Sequence, residues 1–316
     1  MGNILVTGGA GFIGSHLVKE LLNLGENVIV VDNLSMGSKE NLDLNNKNLT
    51  FIEGDISNQS TITELFNTYT FKKIFHLGAV ASVAASVEHP LETHLTNLEG
   101  TIYLLEAARK QKDIERFVFA SSAAVYGDDP ALPKRENSPI KPLTPYAIDK
   151  YASERYVINY SKLYGLPTVA LRFFNVYGIG QNPSSPYSGV VSIITDRLKK
   201  KLNGEDASFI LFGDGSQTRD FVFVKDVVQA NLLVSNNKDA IGNVYNVGTG
   251  EKISLMDLIS TYIKISGIDL PIKKEAVRSG DIKDSYADVS ALKSIGFMPE
   301  FTVEEGLKVY WEHQIK

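Results

Sequence analysis

Apolar positions in the first 175 residues follow two rhythms in turn. Short β-branched and aromatic runs, apolar on both alternating faces, predict buried strands at "NILVTG" (3–8), "NVIVVD" (27–32), "LTFIEGD" (49–55), "KKIFHLGA" (72–79), "ERFVFASS" (115–122) and "PTVALRFFN" (167–175). Between them, apolar residues three and four apart predict amphipathic helices at "SHLVKELLNLG" (15–25), "NQSTITELFNTY" (58–69), "LETHLTNLEGTIYLLEAARKQ" (91–111) and around 145–164. Strands that alternate with helices and are apolar on both faces predict a parallel sheet covered on both sides, with right-handed crossovers. After about residue 173 the rhythm fades. "YGIGQNPSSPYSG" (177–189) is rich in Gly, Pro, Ser and Asn and reads as a long loop, of the kind that often carries function. The expected fold is α/β: a doubly wound parallel sheet over 1–172, then a smaller α/β lobe over 173–316 with a cleft between them. Some C-terminal segments are free to return to the first domain, since no flexible linker marks the boundary.

Composition narrows the classes. With 316 residues, 43% of them hydrophobic, the chain can bury a full core. A net charge of −5 lacks the footprint of a nucleic-acid binder, and the densest basic run, "RLKKKLNG" (197–204), reads as a solvated helix face. There is no cysteine, which excludes disulfides, thiolate metal sites and a Cys nucleophile; no metal is expected. "MGNILVTGG" runs straight into a strand with no charged leader, and no apolar run reaches the ~18 residues a membrane span needs. A cytoplasmic protein is expected.

The chemistry begins at "VTGGAGFIGSH" (6–16). Gly8, Gly11 and Gly14 stand as G-x-x-G-x-x-G between a strand and a helix. Glycines let backbone approach a pyrophosphate, and the helix start offers free N–H groups and a positive dipole end. Asp32 ends the next strand, 18 residues after Gly14, near the ~20 expected of a ribose-binding acid. Its carboxylate would take the ribose hydroxyls and repel a 2′-phosphate, favouring NAD over NADP. Asp55 in "EGDIS" (53–57) falls where the adenine would lie.

A second cluster follows. "FVFASSAAVYG" (117–127) ends a strand in hydroxyls, at the sheet edge where α/β proteins bind ligands. In "TPYAIDKYASERY" (144–156), Tyr146 and Lys150 share one helix face, four residues apart. Such pairs are common on solvated helices. Beside a Ser strand and a glycine loop, the pair reads as a phenol whose pKa the Lys150 ammonium and the positive nicotinamide ring would together draw down from ~10, ready to act as a general base. His76 reads as a packing residue at a strand end.

These motifs, with "LRFFNVYG", "GDGSQTRDFVFVKD" (213–226), "YNVGTG" (245–250) and "RSGDIKDSYAD" (278–288), resemble the extended short-chain dehydrogenase/reductases nearly end to end. Among these the chain is most similar to the nucleotide-sugar 4-epimerases that act on UDP-N-acetylhexosamines. The resemblance implies a Rossmann-type first domain binding NAD. Gly8, Gly11, Phe12, Ile13 and Gly14 would cradle the pyrophosphate, and Asp32 and Asn33 would hold the adenosine ribose. Asp55 and Ile56 would meet the adenine, Leu77, Gly78 and Ala79 would line the cofactor, and Asn97 would support it. Ser122, Tyr146 and Lys150 would be catalytic, with Lys150 also on the nicotinamide ribose. For a UDP-sugar the implied contacts are Asn175, Arg219 and Arg278 on the diphosphate, Asp281 on the uridine ribose, and Val190 and Phe221 near the uracil. Ser82, Ser122, Tyr146 and Ser285 would stand toward the sugar. A homodimer through the helices near 91–111 and 145–164 is implied too.

The resemblance also implies the reaction. Tyr146 takes the C4 hydroxyl proton, NAD+ takes the C4 hydride, the 4-keto sugar turns about its link to UDP, and both return to the other face. Dehydratases of this family carry carboxylates just before V-Y-G, where this chain has Ala123 and Ala124, so elimination lacks its catalysts. At the position that limits room for the sugar's C2 substituent, "GDIKDSYAD" places the small Ser285; a one-residue slip would place Tyr286 there instead. The expected activity is interconversion of UDP-GlcNAc and UDP-GalNAc, with UDP-Glc/UDP-Gal as a second pair. Alternatives are a UDP-glucuronic acid 4-epimerase, a dehydratase or decarboxylase, and a non-catalytic NAD sensor.

Overall fold

Along the chain run β1 (Asn3–Thr7), α1 (Phe12–Asn23), β2 (Val28–Asp32), β3 (Leu49–Glu53), α2 (Gln59–Thr68), β4 (Phe71–His76), α3 (Val83–Glu88), α4 (Pro90–His94), α5 (Gly100–Ala108), β5 (Arg116–Ser122), α6 (Pro145–Tyr164) and β6 (Thr168–Phe173). There follow β7 (Asn175–Tyr177), α7 (Val190–Leu202), β8 (Phe209–Phe212), β9 (Thr218–Arg219), β10 (Phe221–Phe223), α8 (Val224–Asn236), β11 (Val244–Val247), β12 (Ile253–Ser254), α9 (Leu255–Ser266), β13 (Ile272–Glu275), β14 (Asp284–Ser285), α10 (Ser290–Ser294) and α11 (Val303–Gln314). The structure is a computed structural model and describes residues 2–181, 189–277 and 282–315.

Side-chain alternation builds the layers. Ile4 and Val6 of β1, Val28 and Val30 of β2 and Val118 of β5 enter one core with Leu17, Val18 and Leu21 of α1. Leu5, Ile29, Val31, Phe117 and Phe119 point the other way, onto Leu65 of α2, Leu104 and Leu105 of α5 and Val157 of α6. Seven parallel strands result, in the order β11-β6-β5-β4-β1-β2-β3. Strand order reverses between β1 and β4, which opens a crevice at their C-terminal ends.

The sheet draws on both halves of the chain. β11 pairs with β6 from Val244↔Ala170 to Val247↔Phe173. Val227, Val228 and Val234 of α8 and Leu292 of α10 join the core on the α1 side. The change of pattern near 172/173 is thus a chain position and not a spatial cut. The rest of the second half forms its own core from Phe209, Leu211, Leu258, Ile259, Tyr262, Leu307 and Trp311, against which Phe12 and Ile13 also pack.

The helix expected over 91–111 is broken. α4 passes through a π-helical turn, Leu95–Glu99, before α5 begins at Gly100. Inside that turn Asn97 is buried and clamps the loop after β4: its Oδ1 accepts Val80 N–H at 2.8 Å and its Nδ2 donates to Val80 O at 3.1 Å. α6 begins and ends on its expected signals. Thr144 caps it by accepting Ala147 N–H, Pro145 takes the first position, and Gly165 closes it with φ +70°. Among the described residues no helix is long and apolar enough to cross a membrane, and no group of three acidic or His side chains could hold a metal ion.

Candidate active site

The crevice between β1 and β4 is a cavity of about 590 Å³. Gly8, Gly11, Phe12, Ile13 and Gly14 form its floor, and α1 starts there at Gly11 with no side-chain cap and no acidic residue in its first turn. A Cβ on Gly14 would stand 2.1 Å from Gly8 O, so only glycine allows helix and loop to approach so closely. Asp32 and Asn33 line the far end. Asp32 is nearly buried and braces the loop, accepting Ala10 N–H at 3.0 Å and Leu34 N–H at 2.8 Å. Asn33 donates to Asp55 Oδ2 at 2.9 Å, and Ser57 donates twice to Asp55 Oδ1. These bonds hold the Asp55 carboxyl below its usual range although burial pushes it up. Ile56, Leu77, Gly78 and Ala79 complete this wall; Asp55 does not line the cavity itself, and Asn97 acts through Val80. An uncapped helix start, a loop that admits no Cβ and an acid at the end of β2 fit a dinucleotide such as NAD.

Ser122, Tyr146 and Lys150 line the same cavity. β5 ends at Ser122, whose hydroxyl is hydrogen-bonded with the half-buried Tyr146 phenol. Lys150 is buried, donates to Ala120 O at 2.8 Å and lies 4.9 Å from the centre of the Phe119 ring. The protein's own groups do not by themselves supply the lowered phenol pKa expected of Tyr146 beside Lys150 and a nicotinamide ring. Burial pushes Tyr146 up, with Ser122 pulling the other way, while burial pushes Lys150 down to about 7. Desolvation penalises both charges.

His76 is buried and neutral, held near 3 by burial and then by the Lys150 charge. It lies 2.7 Å from Thr7 Oγ1 and 2.9 Å from Thr101 Oγ1, and Thr101 in turn donates to Asn97 O at 2.7 Å. Packing and bracing are its place in the fold, as expected of it.

A second cavity, about 690 Å³, opens in the lobe. Asn175, Val190, Arg219 and Phe221, expected to bind UDP, all line it. The two cavities share walls: Phe174 and Val176 face the first and Asn175 the second, and Gly189 faces the first while Val190 faces the second. Ser285 pairs with Arg219 across β14 and β9, so the two share a face, although Ser285 itself lines neither cavity. Tyr286 follows the end of β14, and Lys252 Nζ sits 5.3 Å from its ring centre. Ser82 lines neither cavity; it is buried and caps α3 by accepting Ala85 N–H at 3.0 Å. Arg278 and Asp281 lie outside the described residues.

Several lining residues escaped the sequence reading. Met36, Ser38 and Asn41, from the polar loop after Asp32, line the first cavity, as do Thr96 and Ser121. Phe209, Phe212, Ile193 and Leu255 give the second its apolar wall. Their only signal was position after a strand or on an amphipathic helix, which many core residues share.

Residues 4–248 match the NAD dependent epimerase/dehydratase family. A UDP-glucose 4-epimerase from Thermotoga maritima, solved with UDP-glucose, is 40% identical, covers 98% of each chain and superposes with a TM-score of 0.92. A UDP-N-acetylglucosamine 4-epimerase from Methanobrevibacter ruminantium, solved with UDP-N-acetylmuramic acid, is 38% identical over 100% of this chain and 99% of that one, with a TM-score of 0.91. A Thermus thermophilus UDP-glucose 4-epimerase in complex with NAD is 35% identical over 99% of both, with a TM-score of 0.89. This chain belongs to the NAD dependent epimerase/dehydratase family.

Proposed function

We propose that this NAD-dependent UDP-sugar 4-epimerase interconverts UDP-GlcNAc and UDP-GalNAc, and also turns over UDP-Glc and UDP-Gal. The strand register at β14 carries the substrate assignment. Ser285 pairs with Arg219, and Lys252 Nζ sits over the Tyr286 ring, which supports a reading in which the small Ser285 rather than Tyr286 would stand by the C2 substituent and leave room for an N-acetyl group. Bound NAD supplies a reversible hydride acceptor. The chain's own residues do the rest. Tyr146 takes and returns the C4 hydroxyl proton, Ser122 holds that hydroxyl in line with the phenol, and Lys150 offsets the phenolate charge. Asn175 and Arg219 hold the diphosphate, with Val190 and Phe221 beside the uridine. Anchoring through UDP leaves the hexose loose enough to turn over. Ala123 and Ala124, in the turn after Ser122, offer no acid or base for elimination.

We also infer a homodimer. Val83 and Val87 of α3, Leu91 of α4 and Leu95 of the π turn are 46%, 62%, 68% and 42% exposed, and Ile148 of α6, on which α3 and α4 pack, is 51% exposed. Exposed apolar residues on adjoining helices suit a second copy.

Incubating the purified protein with UDP-GlcNAc, without added NAD, tests the substrate reading. UDP-GalNAc should appear by chromatography, and Tyr146→Phe should cut turnover by about 10²–10⁴-fold. Conversion of UDP-Glc alone would sink the Ser285 assignment and leave the epimerase standing.

A further inference from the structure

Asp220 lies between two residues that line the second cavity, Arg219 and Phe221, yet its own side chain is fully buried away from it. Its carboxylate collects four donors. Oδ1 accepts Thr249 N–H at 2.8 Å and Thr249 Oγ1–H at 2.8 Å. Oδ2 accepts Gly250 N–H at 3.0 Å and Ala287 N–H at 3.2 Å. The backbone adds two bonds: Asp220 N–H donates to Ser285 O at 3.0 Å, and Asp220 O accepts Asn175 N–H at 3.1 Å. Gly248 makes room for this centre, since a Cβ there would stand 2.5 Å from Asp220 Oδ2.

Two of these bonds, to Ser285 O and from Ala287 N, bracket Tyr286. β14 itself is only two residues long. Lys134 pairs with the segment from its other side, through Tyr286 O and Asp288 N. Ladders of that kind repeat along a strand, and a strand shifted by one residue turns every side chain to the opposite face. A buried carboxylate aimed at one N–H does not repeat. We propose that Asp220 is a register clamp: a positioning residue that keeps Ser285 toward the sugar and Tyr286 away, and so sets tolerance for a bulky C2 substituent. The proposal rests on the substrate reading above.

The test is the ratio of kcat/KM for UDP-GlcNAc to that for UDP-Glc, in wild type, Asp220→Ala and Asp220→Ala/Tyr286→Ala. A ratio is indifferent to the fraction of folded enzyme. It should fall by about tenfold or more in Asp220→Ala, the range of discrimination that one misplaced side chain gives. Removing the Tyr286 ring in the double variant should restore it. Asp220→Asn, which keeps the volume and one acceptor, should show a smaller fall and covers the case in which Asp220→Ala does not fold. An unchanged ratio in both single variants, or a fall that Tyr286→Ala does not reverse, overturns the clamp. Wild type inactive on UDP-GlcNAc overturns the Ser285 reading and the clamp together; wild type active with an unchanged ratio overturns the clamp alone.

Discussion

At the scale of single residues, the catalytic pair is a conflict between burial and charge. Lys150 has a folded-state pKa of about 7 against 10.5 for the ordinary side chain, because its ammonium is buried. Between those values the unfolded chain binds more protons than the native one, so this group makes stability rise with pH across that window. Below about pH 7 both states are charged and the full penalty is present. Lys150→Met removes the penalty. The variant should melt above wild type at pH 6, with the gap narrowing as pH rises toward 10, while turnover falls by about 100-fold or more. Thermal melts across that range check it, and a gap independent of pH would be fatal. Tyr146 and Lys150 were legible from their spacing and neighbours. Their protonation was not, because desolvation depends on what packs around a group, and Phe119 and Ala120 reach Lys150 of α6 from β5.

At the scale of elements, what was legible tracks how a segment is stabilised. The sheet strands carry apolar residues on both faces and need no partner to be recognised; β1, β2, β3, β5 and β6 lie within their expected ranges, and β4 begins one residue earlier, at Phe71. The π turn at Leu95–Glu99 left no local mark, because Asn97's bonds to Val80 are tertiary. The lobe's strands were obscure because several are two to four residues long and exist through pairing. Ser82, which the resemblance put at the sugar, caps α3 just after Val80 and Ala81 of the first cavity, a local bond its place in the sequence did not announce. Elements also meet through a buried ion pair that spacing alone did not reveal. Glu154 of α6, fully buried, accepts Arg172 of β6 at 2.6 and 2.8 Å and Ser121 at 2.8 Å. Arg172 also donates to Tyr126 OH at 2.8 Å. Arg172→Ala would strand a buried carboxylate and should cost about 3–5 kcal/mol, whereas replacing both partners with apolar residues of similar volume should cost much less. Urea denaturation of the single and double variants decides this. Equal losses would mean that the pair is not the tie between α6 and β6.

At the scale of the whole molecule, the two cavities and the apolar stripe point to separate tasks. Residues assigned to NAD, to the UDP-sugar and to proton transfer are distributed over the two cavities. The stripe on α3 and α4 calls for cover. Leu91 and Val87, on helices that pack on α6, stand more than half exposed, as does Ile148 of α6 itself, the helix that carries Tyr146 and Lys150. A partner pressed on that surface would hold α4 and α6 together and steady the active-site helix without touching substrate. Leu91→Glu with Ile148→Glu puts like charges into the centre of such an interface. Desolvating them should raise the dimer dissociation constant by tenfold or more, on the order of the 1–3 kcal/mol that burying an unpaired polar group costs. Sedimentation equilibrium should show wild type as a dimer and the double variant as a monomer. The monomer should still retain NAD, since no cofactor-lining residue has changed, and its turnover should be reduced rather than lost. A monomeric wild type, or a double variant that still dimerises, would show that this face is not the interface.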